Sequence, residues 1–152
     1  GDGYFVNTAS AAGIVNAPTM SSYNVTKSGV ISLSETLRAE LHGDNIGVSV
    51  VCPTFFKTNL SETMRSDDPG TRTFVDKLMS KSRITADDIA DDIFDAVAKR
   101  KFWVLPHRDG RLMWYAKRYL PGLFSWGVAQ GFKRMQRSQR RYERKIRGAG
   151  NG

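Results

Sequence analysis

The sequence predicts an α/β fold in which a long helix connects two neighbouring parallel strands. Three segments support this: the β-rich stretch "GYFVNTA" (3–9), a helical pattern from 21 to about 42, and the apolar run "IGVSVVC" (46–52). A strand, a helix of about twenty residues and a second strand form the unit from which parallel sheets are built. Because only two or three such strands are present, we expect half of an open, doubly wound sheet.

The first elements follow from local signals. The strand at 3–9 is expected to be buried and to lead into the small-residue loop "SAAGIVNAPTM". Ser21 or Ser22 is a suitable N-cap for the helix, and "HGDN" ends it. Pro53 ends the second strand, because proline cannot continue the hydrogen-bond ladder. The apolar residues that recur at helical spacing are Val30, Leu33, Leu37 and Leu41.

The second half of the sheet region has equally clear signals. A turn at 67–70 leads into a predicted helix at 71–80, and "FWVLP" (102–106) predicts a third short strand. Between them, "TADDIADDIFDAVAKR" is periodic, with Thr85 as N-cap, acids in its first turns and basic residues at its end. Its carboxylates fall on the polar face, so we interpret them as solvated.

Composition limits the class of protein. The 152 residues are 40% apolar and 11% aromatic, which suits one globular domain. A single cysteine, Cys52, excludes an intramolecular disulfide, fits a reducing cytoplasmic location, and is expected in the core. The sequence contains no run of about 18 apolar residues, so no membrane-spanning helix is predicted. His42 and His107 are isolated, so we interpret them as surface or turn residues and predict no metal site.

Tyr23 and Lys27 carry the main chemical signal. Four residues apart on a helix, their side chains lie on one face. A free phenol titrates near about 10, and a neighbouring ammonium favours the phenolate, which suits proton transfer to or from a carbonyl or alcohol oxygen. Ser10 follows the first strand, at the end where open α/β sheets bind ligands, and its hydroxyl could hold the reacting oxygen. An isolated pair of this kind is more often a surface contact.

Three motifs in order resemble the C-terminal half of a short-chain dehydrogenase/reductase. "NTAS", ending at Ser10, and "YNVTK", from Tyr23 to Lys27, match the family's catalytic serine and Y-x-x-x-K, thirteen residues apart. "CPTFFKTNL" matches its P-G strand end and following threonine through Pro53 and Thr58, although Thr54 replaces the glycine. The resemblance covers residues 1–107 and implies the C-terminal half of a Rossmann-like sheet.

The resemblance implies a hydride transfer between NAD or NADP and a small carbonyl or alcohol substrate. It implies Ser10, Tyr23 and Lys27 as catalytic residues. It implies that the cofactor contacts Tyr23, Lys27, Pro53, Thr54, Phe55 and Thr58, with Lys27 on the ribose. The family's glycine-rich loop precedes the matched region, and the first residue is Gly1, so we expect a fragment that is inactive and binds no cofactor alone. The resemblance also implies a homo-oligomer through the Tyr23 helix.

The aromatic residues of the second loop allow two interpretations. Phe55, Phe56 and Met64 lie where the family has its variable substrate loop, which would give an apolar substrate pocket. Core packing explains the same residues equally well.

A basic tail follows the globular part. Residues 108–152 contain 12 Lys and Arg against 2 Asp and Glu, whereas residues 1–107 contain 11 against 13. An apolar stripe with basic neighbours suits an anionic membrane surface, while packing on the domain with a disordered end explains it equally. No base-reading module is recognisable, which disfavours nucleic acid. The stripe consists of Leu120, Leu123, Phe124, Val128, Phe132 and Met135.

Two functions follow from these patterns. The first is an NAD(P)-dependent oxidoreductase, and the second is a non-catalytic half-domain that acts as a membrane-associated interaction module.

Overall fold

A parallel three-stranded sheet forms the centre of the fold. The computed structural model describes residues 2–56 and 79–149 of the chain. Strand β1 (Gly3–Thr8) pairs in parallel with β2 (Ile46–Val51), and β2 pairs in parallel with β3 (Trp103–Val104). The sheet order is β1-β2-β3. The predicted α/β fold with parallel strands is therefore confirmed.

Helices fill the connections and form the tail. In chain order they are α1 (Ala12–Val15), α2 (Ser21–Glu40), a 3₁₀ turn (His42–Asp44), α3 (Ala86–Ala98), α4 (Arg108–Tyr119) and α5 (Pro121–Ala149). The predicted turn at 67–70 and nearly all of the predicted helix at 71–80 lie outside the described residues.

The core has two layers, one on each face of the sheet. Successive side chains of a strand point to opposite faces, so Val50 packs on the α2 side and Val51 on the α3 side. Both valines are essentially inaccessible to solvent. Cys52 lies in the α2-side layer, as expected of a core cysteine.

The helix predicted from Val30, Leu33, Leu37 and Leu41 is confirmed, but these four residues differ in burial. Val30, Leu37 and Leu41 pack against the core, whereas Leu33 is 54% exposed. The fully buried side chain in this part of the helix is Ser34, and consecutive helical residues are about 100° apart, so Leu33 turns towards solvent. The start of α2 also differs from expectation.

Neither Ser21 nor Ser22 caps α2. Met20 occupies the N-cap position without a side-chain hydrogen bond, and both serines are already helical. The first turn is held instead by Asn24, whose buried amide donates to the carbonyl of Ala17 at 2.7 Å. A bond to the preceding loop thus replaces a local cap.

Strand β1 is not the buried strand that its composition predicts. Phe5 is 46% exposed and Val6 is 39% exposed, and these neighbours point to opposite faces. The reason is position: β1 lies at the end of the sheet order and, within the described residues, pairs only with β2. One edge and part of each face of β1 therefore remain uncovered.

Helix α3 begins as predicted. Thr85 is its N-cap, its hydroxyl oxygen accepts the backbone N–H of Asp88, and the Asp88 carboxylate accepts the backbone N–H of Thr85. That backbone N–H, and then the Thr85 hydroxyl, lower the pKa of Asp88. The other carboxylates of the helix are exposed, which confirms their interpretation as a solvated face.

The tail consists of two helices that behave differently. Helix α4 packs back against α1, where Lys117 donates to the carbonyl of Ile14. Helix α5 begins at Pro121 and, among the described elements, packs extensively only against α4. In the described ranges 2–56 and 79–149, no helix combines the length and the apolar character that crossing a bilayer needs.

Candidate active site

The loops that follow β1 and β2 lie side by side at the C-terminal edge of the sheet. The backbone N–H of Ala9 donates to the carbonyl of Val51 at 2.8 Å, and that of Ala11 donates to the carbonyl of Pro53 at 2.9 Å. These bonds continue the strand pairing beyond the sheet. The loop that carries Ser10 is thereby held against the loop that begins at Pro53.

Ser10, in the loop after β1, is half-buried beside the loop after β2. Its Oγ accepts the backbone N–H of Ala12 at 3.1 Å. Because an accepting hydroxyl retains its own proton, Ser10 can still donate to an oxygen atom of a bound molecule. Ala12 is the first residue of helix α1, so this hydrogen bond fixes the Ser10 hydroxyl against the start of that helix.

Tyr23 and Lys27 meet on the first turns of α2. The Lys27 Nζ lies 5.8 Å from the centre of the Tyr23 ring and donates to the carbonyl of Thr8 at 3.3 Å. Thr8 is the last residue of β1, so the ammonium group spans from the helix to the strand end that precedes Ser10. The predicted trio therefore shares one edge of the sheet.

Gly13 is a residue whose positional role the sequence did not reveal. A Cβ placed on Gly13 would lie 2.6 Å from the carbonyl carbon of Lys27 and 2.8 Å from the backbone nitrogen of Ser28. The Ser28 hydroxyl also donates to the carbonyl of Gly13 at 2.8 Å. Helix α1 therefore touches the backbone of α2 at Lys27, which requires a glycine. Its only sequence signal is a glycine within a small-residue loop.

The residues of the loop after β2 have two different surroundings. Pro53 is buried beside the Ser10 loop, and Thr54 and Phe55 are half-buried. Phe56 packs against the core on the α3 side, which favours the core interpretation over the substrate-pocket one for this residue. Thr58 and Met64 lie outside the described residues.

Cys52 is buried directly after β2, at the same edge of the sheet. Burial raises the pKa of its thiol to about 12, although the backbone N–H of Ser10 and the charge of Lys27 lower it. The group is therefore a neutral thiol at physiological pH and is unsuited to nucleophilic catalysis. Within the described residues, no three His, Cys, Asp or Glu side chains are grouped to hold a metal ion.

His107 is buried, contrary to the surface or turn position expected for it. Only 6% of the residue is exposed, and the backbone N–H of Thr54 donates to its Nδ1 at 3.3 Å. Its ring centroid lies 6.4 Å from that of Phe56. The expectation failed because His107 follows β3, whose end lies beside the loop after β2, and a lone histidine carries no local signal of that neighbour. His42 is exposed, as predicted.

Comparison with known proteins places these features in a family. Residues 1–69 match the family model for short chain dehydrogenase. The mouse protein "Dehydrogenase/reductase SDR family member 7B" is 32% identical over 138 residues, which cover 90% of this chain and 42% of the relative. The chain therefore spans less than half the length of this relative.

Solved structures agree with the sequence comparison. A short-chain dehydrogenase/reductase from Burkholderia phymatum, in complex with NAD, is 27% identical with a TM-score of 0.69 over 78% of this chain and 47% of that one. A short-chain dehydrogenase from Sphingobium yanoikuyae, in complex with NADPH, shares the fold at 23% identity and a TM-score of 0.57, over 89% of this chain and 44% of that one. The chain belongs to the short-chain dehydrogenase/reductase family.

Proposed function

We propose that the protein is an NAD(P)-dependent oxidoreductase that interconverts a carbonyl and an alcohol. The observation that carries this proposal is the position of the Lys27 ammonium, bound to the last carbonyl of β1 and lying over the Tyr23 ring. A tyrosine that exchanges a proton needs such a cation close by. Membership of a family with dehydrogenase and reductase members supports the same reaction class.

The donor groups at this edge fit a nicotinamide nucleotide. Within the described residues, the Lys27 ammonium makes one hydrogen bond, to Thr8, and an ammonium has three protons to donate. We propose that Lys27 holds the ribose hydroxyls and that Tyr23, Pro53, Thr54 and Phe55 line the nicotinamide end. Thr58 is proposed to contact the carboxamide or a phosphate. The solved relative that is 27% identical holds NAD, which supports this class of cofactor, NAD or NADP.

The proposed reaction assigns a separate task to each side chain. The nicotinamide, when bound, supplies the hydride that forms the new C–H bond of the alcohol, or accepts it in the reverse direction. The Ser10 hydroxyl donates a hydrogen bond to the substrate oxygen and fixes its position. Tyr23 donates its phenolic proton to that oxygen during reduction and takes it back during oxidation, and Lys27 stabilises the phenolate that remains.

The test replaces Tyr23 by phenylalanine in the full-length protein. This change removes the proton and keeps the ring, so turnover should fall by roughly 10²- to 10⁴-fold, as is typical when an acid/base group is lost. Reduced nicotinamide is followed with a panel of apolar ketones, aldehydes and alcohols. Tyr119→Phe, which removes an exposed hydroxyl from the tail, is the matched control and should leave turnover unchanged. Full activity of Tyr23→Phe would refute the assignment.

We also propose that the tail brings the protein to an anionic membrane surface. Exposed apolar side chains lie at and beyond the α4–α5 junction, where Leu120 is 55%, Leu123 62% and Trp126 61% exposed. Helix α5 packs extensively only against α4 among the described elements, and its exposed Leu123 and Trp126 are available to another surface. Four other stripe residues are partly buried and would add to that surface only in part: Phe124, Val128, Phe132 and Met135. The tail has an excess of ten positive charges, which would attract anionic lipids. Each Lys or Arg near the membrane surface would contribute about 1 kcal/mol to the binding free energy.

Vesicle co-sedimentation tests the membrane proposal. The full-length protein is compared with a form ending at Leu120, using neutral and anionic vesicles at low and high salt. Binding should require both charge and apolar side chains, so Phe124→Ser with Phe132→Ser should reduce it while Ser125→Ala should not. Equal sedimentation of both lengths would reject membrane association. Binding that depends on charge alone would indicate general polyanion binding. This location would also suit a non-catalytic module, which the Tyr23→Phe test distinguishes.

Helix α2 is the proposed surface for self-association. Val25 is 71% exposed and Leu33 is 54% exposed. Pairing with a second copy would bury both. Val25→Ser with Leu33→Ser should shift the oligomer towards monomer in analytical ultracentrifugation, and an unchanged distribution would refute this surface.

A further inference from the structure

The peptide unit between Pro53 and Thr54 is hydrogen-bonded at both ends. Its carbonyl accepts the backbone N–H of Ala11 at 2.9 Å, and its N–H donates to Nδ1 of His107 at 3.3 Å. Ala11 directly follows Ser10, and His107 directly precedes α4. This one peptide plane therefore joins the Ser10 loop, the loop after β2 and the start of the tail.

The hydrogen bond from Thr54 requires a neutral His107. An amide N–H can only donate, so Nδ1 must be unprotonated and the ring proton must be on Nε2. Within the described residues, the buried Nε2 has no hydrogen-bond partner. Burial lowers the pKa of His107, although the nearby charge of Asp109 on α4, the backbone of Phe55 and the charge of Asp92 on α3 raise it.

Gly110 makes room for the Thr54 side chain. A Cβ on Gly110 would lie 3.2 Å from Cγ2 of Thr54 and 3.9 Å from Cβ of His107. Thr54 stands where the family resemblance predicts a glycine, so its side chain needs space that a glycine would not need. Its methyl group packs on the bare backbone of α4.

We propose that His107 and Gly110 form a clamp that positions the loop Pro53–Phe56 for cofactor binding. His107 fixes the orientation of the peptide plane, and Gly110 accepts the threonine methyl group. Both are positioning residues, since they act through Thr54. This inference rests on the proposed function, because the loop is proposed there to line the nicotinamide. It adds that the Thr54 N–H is already used, so the loop must contact the cofactor through other atoms.

The first test separates the acceptor from the ring. His107→Asn keeps an oxygen acceptor close to the position of Nδ1, whereas His107→Phe keeps the ring and removes the acceptor. In the full-length protein, His107→Phe should weaken NAD(H) or NADP(H) binding by roughly tenfold or more, because a buried N–H is left without a partner. His107→Asn should restore most of that loss. The exposed His42→Asn is the matched control and should match the wild type.

The pH profile gives a readout that general destabilisation would not produce. The folded-state pKa of His107 lies below its ordinary value of 6.5, so the hydrogen bond is complete above that value and is lost as the pH falls through the folded pKa. Cofactor affinity of the wild type should fall in this acid range. His107→Asn cannot titrate and should lack this component. If His107→Phe does not fold, this comparison decides alone, and identical profiles would overturn the proposal.

The second test uses rescue at Gly110. Gly110→Ala should weaken cofactor binding because its methyl group would press on Cγ2 of Thr54. Serine lacks that carbon, so Gly110→Ala should have little effect when it is added to Thr54→Ser. An equal loss in both backgrounds would overturn the packing part of the clamp. A wild type that binds neither dinucleotide refutes the proposed function, whereas a wild type that binds while all clamp variants bind equally refutes the clamp alone.

Discussion

The sheet region and the tail are stabilised in different ways. In the sheet region, described at residues 2–56 and 79–107, the strands and helices enclose two apolar layers, and Val50 is inaccessible to solvent. In α5, the backbone hydrogen bonds are local, and the large apolar side chains of Leu123 and Trp126 remain exposed. The first region depends on contacts between distant parts of the chain, whereas the second depends mainly on its own helical turns.

This difference separates two tasks. The proposed proton-transfer site needs groups held in place, and Ser10, Tyr23 and Lys27 lie where loops and helix are joined by hydrogen bonds. The proposed membrane-binding surface needs exposed apolar and basic side chains, and α5 has Leu123, Trp126 and Lys133 exposed. Helix α4 connects the sheet region with α5, because Lys117 contacts α1 and His107, which directly precedes α4, contacts the loop after β2.

The largest contrast is expected when one apolar side chain is shortened in each region. Val50→Ala removes two methyl groups from a closed core, which should lower the free energy of unfolding by about 2–3 kcal/mol. Leu123→Ala, at a 62% exposed position, should change it by less than about 0.5 kcal/mol. Urea unfolding measures both. Equal losses would show that the tail packs as tightly as the sheet.

A pair of glycines sharpens the contrast within the sheet region. Gly13→Ala forces a methyl group onto the backbone of Lys27 and should destabilise by about 1–3 kcal/mol. Gly29 lies on α2, the helix that carries Lys27, and a Cβ placed on it would meet no atom within 4 Å. Gly29→Ala should therefore stabilise the fold by up to about 1 kcal/mol. Thermal unfolding followed by circular dichroism distinguishes the signs. The same sign for both would contradict the close approach at Gly13.

A smaller effect is expected at the start of α3. Thr85→Ala removes the hydroxyl that accepts the N–H of Asp88 and should cost about 1 kcal/mol, as is usual for a lost N-cap. Thr85→Ser keeps the acceptor and is the matched control. If Thr85→Ala and Thr85→Ser unfold at the same urea concentration, the cap does not contribute.

The smallest effect concerns the exposed carboxylates of α3. Hydrogen bonds from Thr85 lower the pKa of Asp88, and Lys99 lowers that of Asp95, so both carboxylates favour the folded state above their ordinary pKa of 3.8. That contribution is lost as the pH falls through the lower folded values. Asp95→Asn should leave unfolding at neutral pH nearly unchanged, because both partners of the pair with Lys99 are exposed. A large change at neutral pH would contradict a solvated pair.

Local chemistry explains which features could be predicted from the sequence. The Thr85 cap and the solvated acids of α3 depend on neighbours within a few residues, and the order of strand, helix and strand follows from periodicity along the chain; each occurs as expected. The four-residue spacing of Tyr23 and Lys27 likewise places both on one helix face. Their proposed catalytic roles came from the family resemblance and stay a prediction.

Tertiary structure decided the features that depend on distant partners. Leu33 is exposed because the face of α2 that carries Ser34 packs against the core. Strand β1 is partly exposed because it lies at the end of the sheet order of the described residues. His107 is buried because the end of β3 lies beside the loop after β2, which brings Thr54 within reach of a residue 53 positions later in the chain. Periodicity, caps and spacing record neighbours along the chain, but burial and hydrogen bonding between distant residues exist only once the sheet has brought them together.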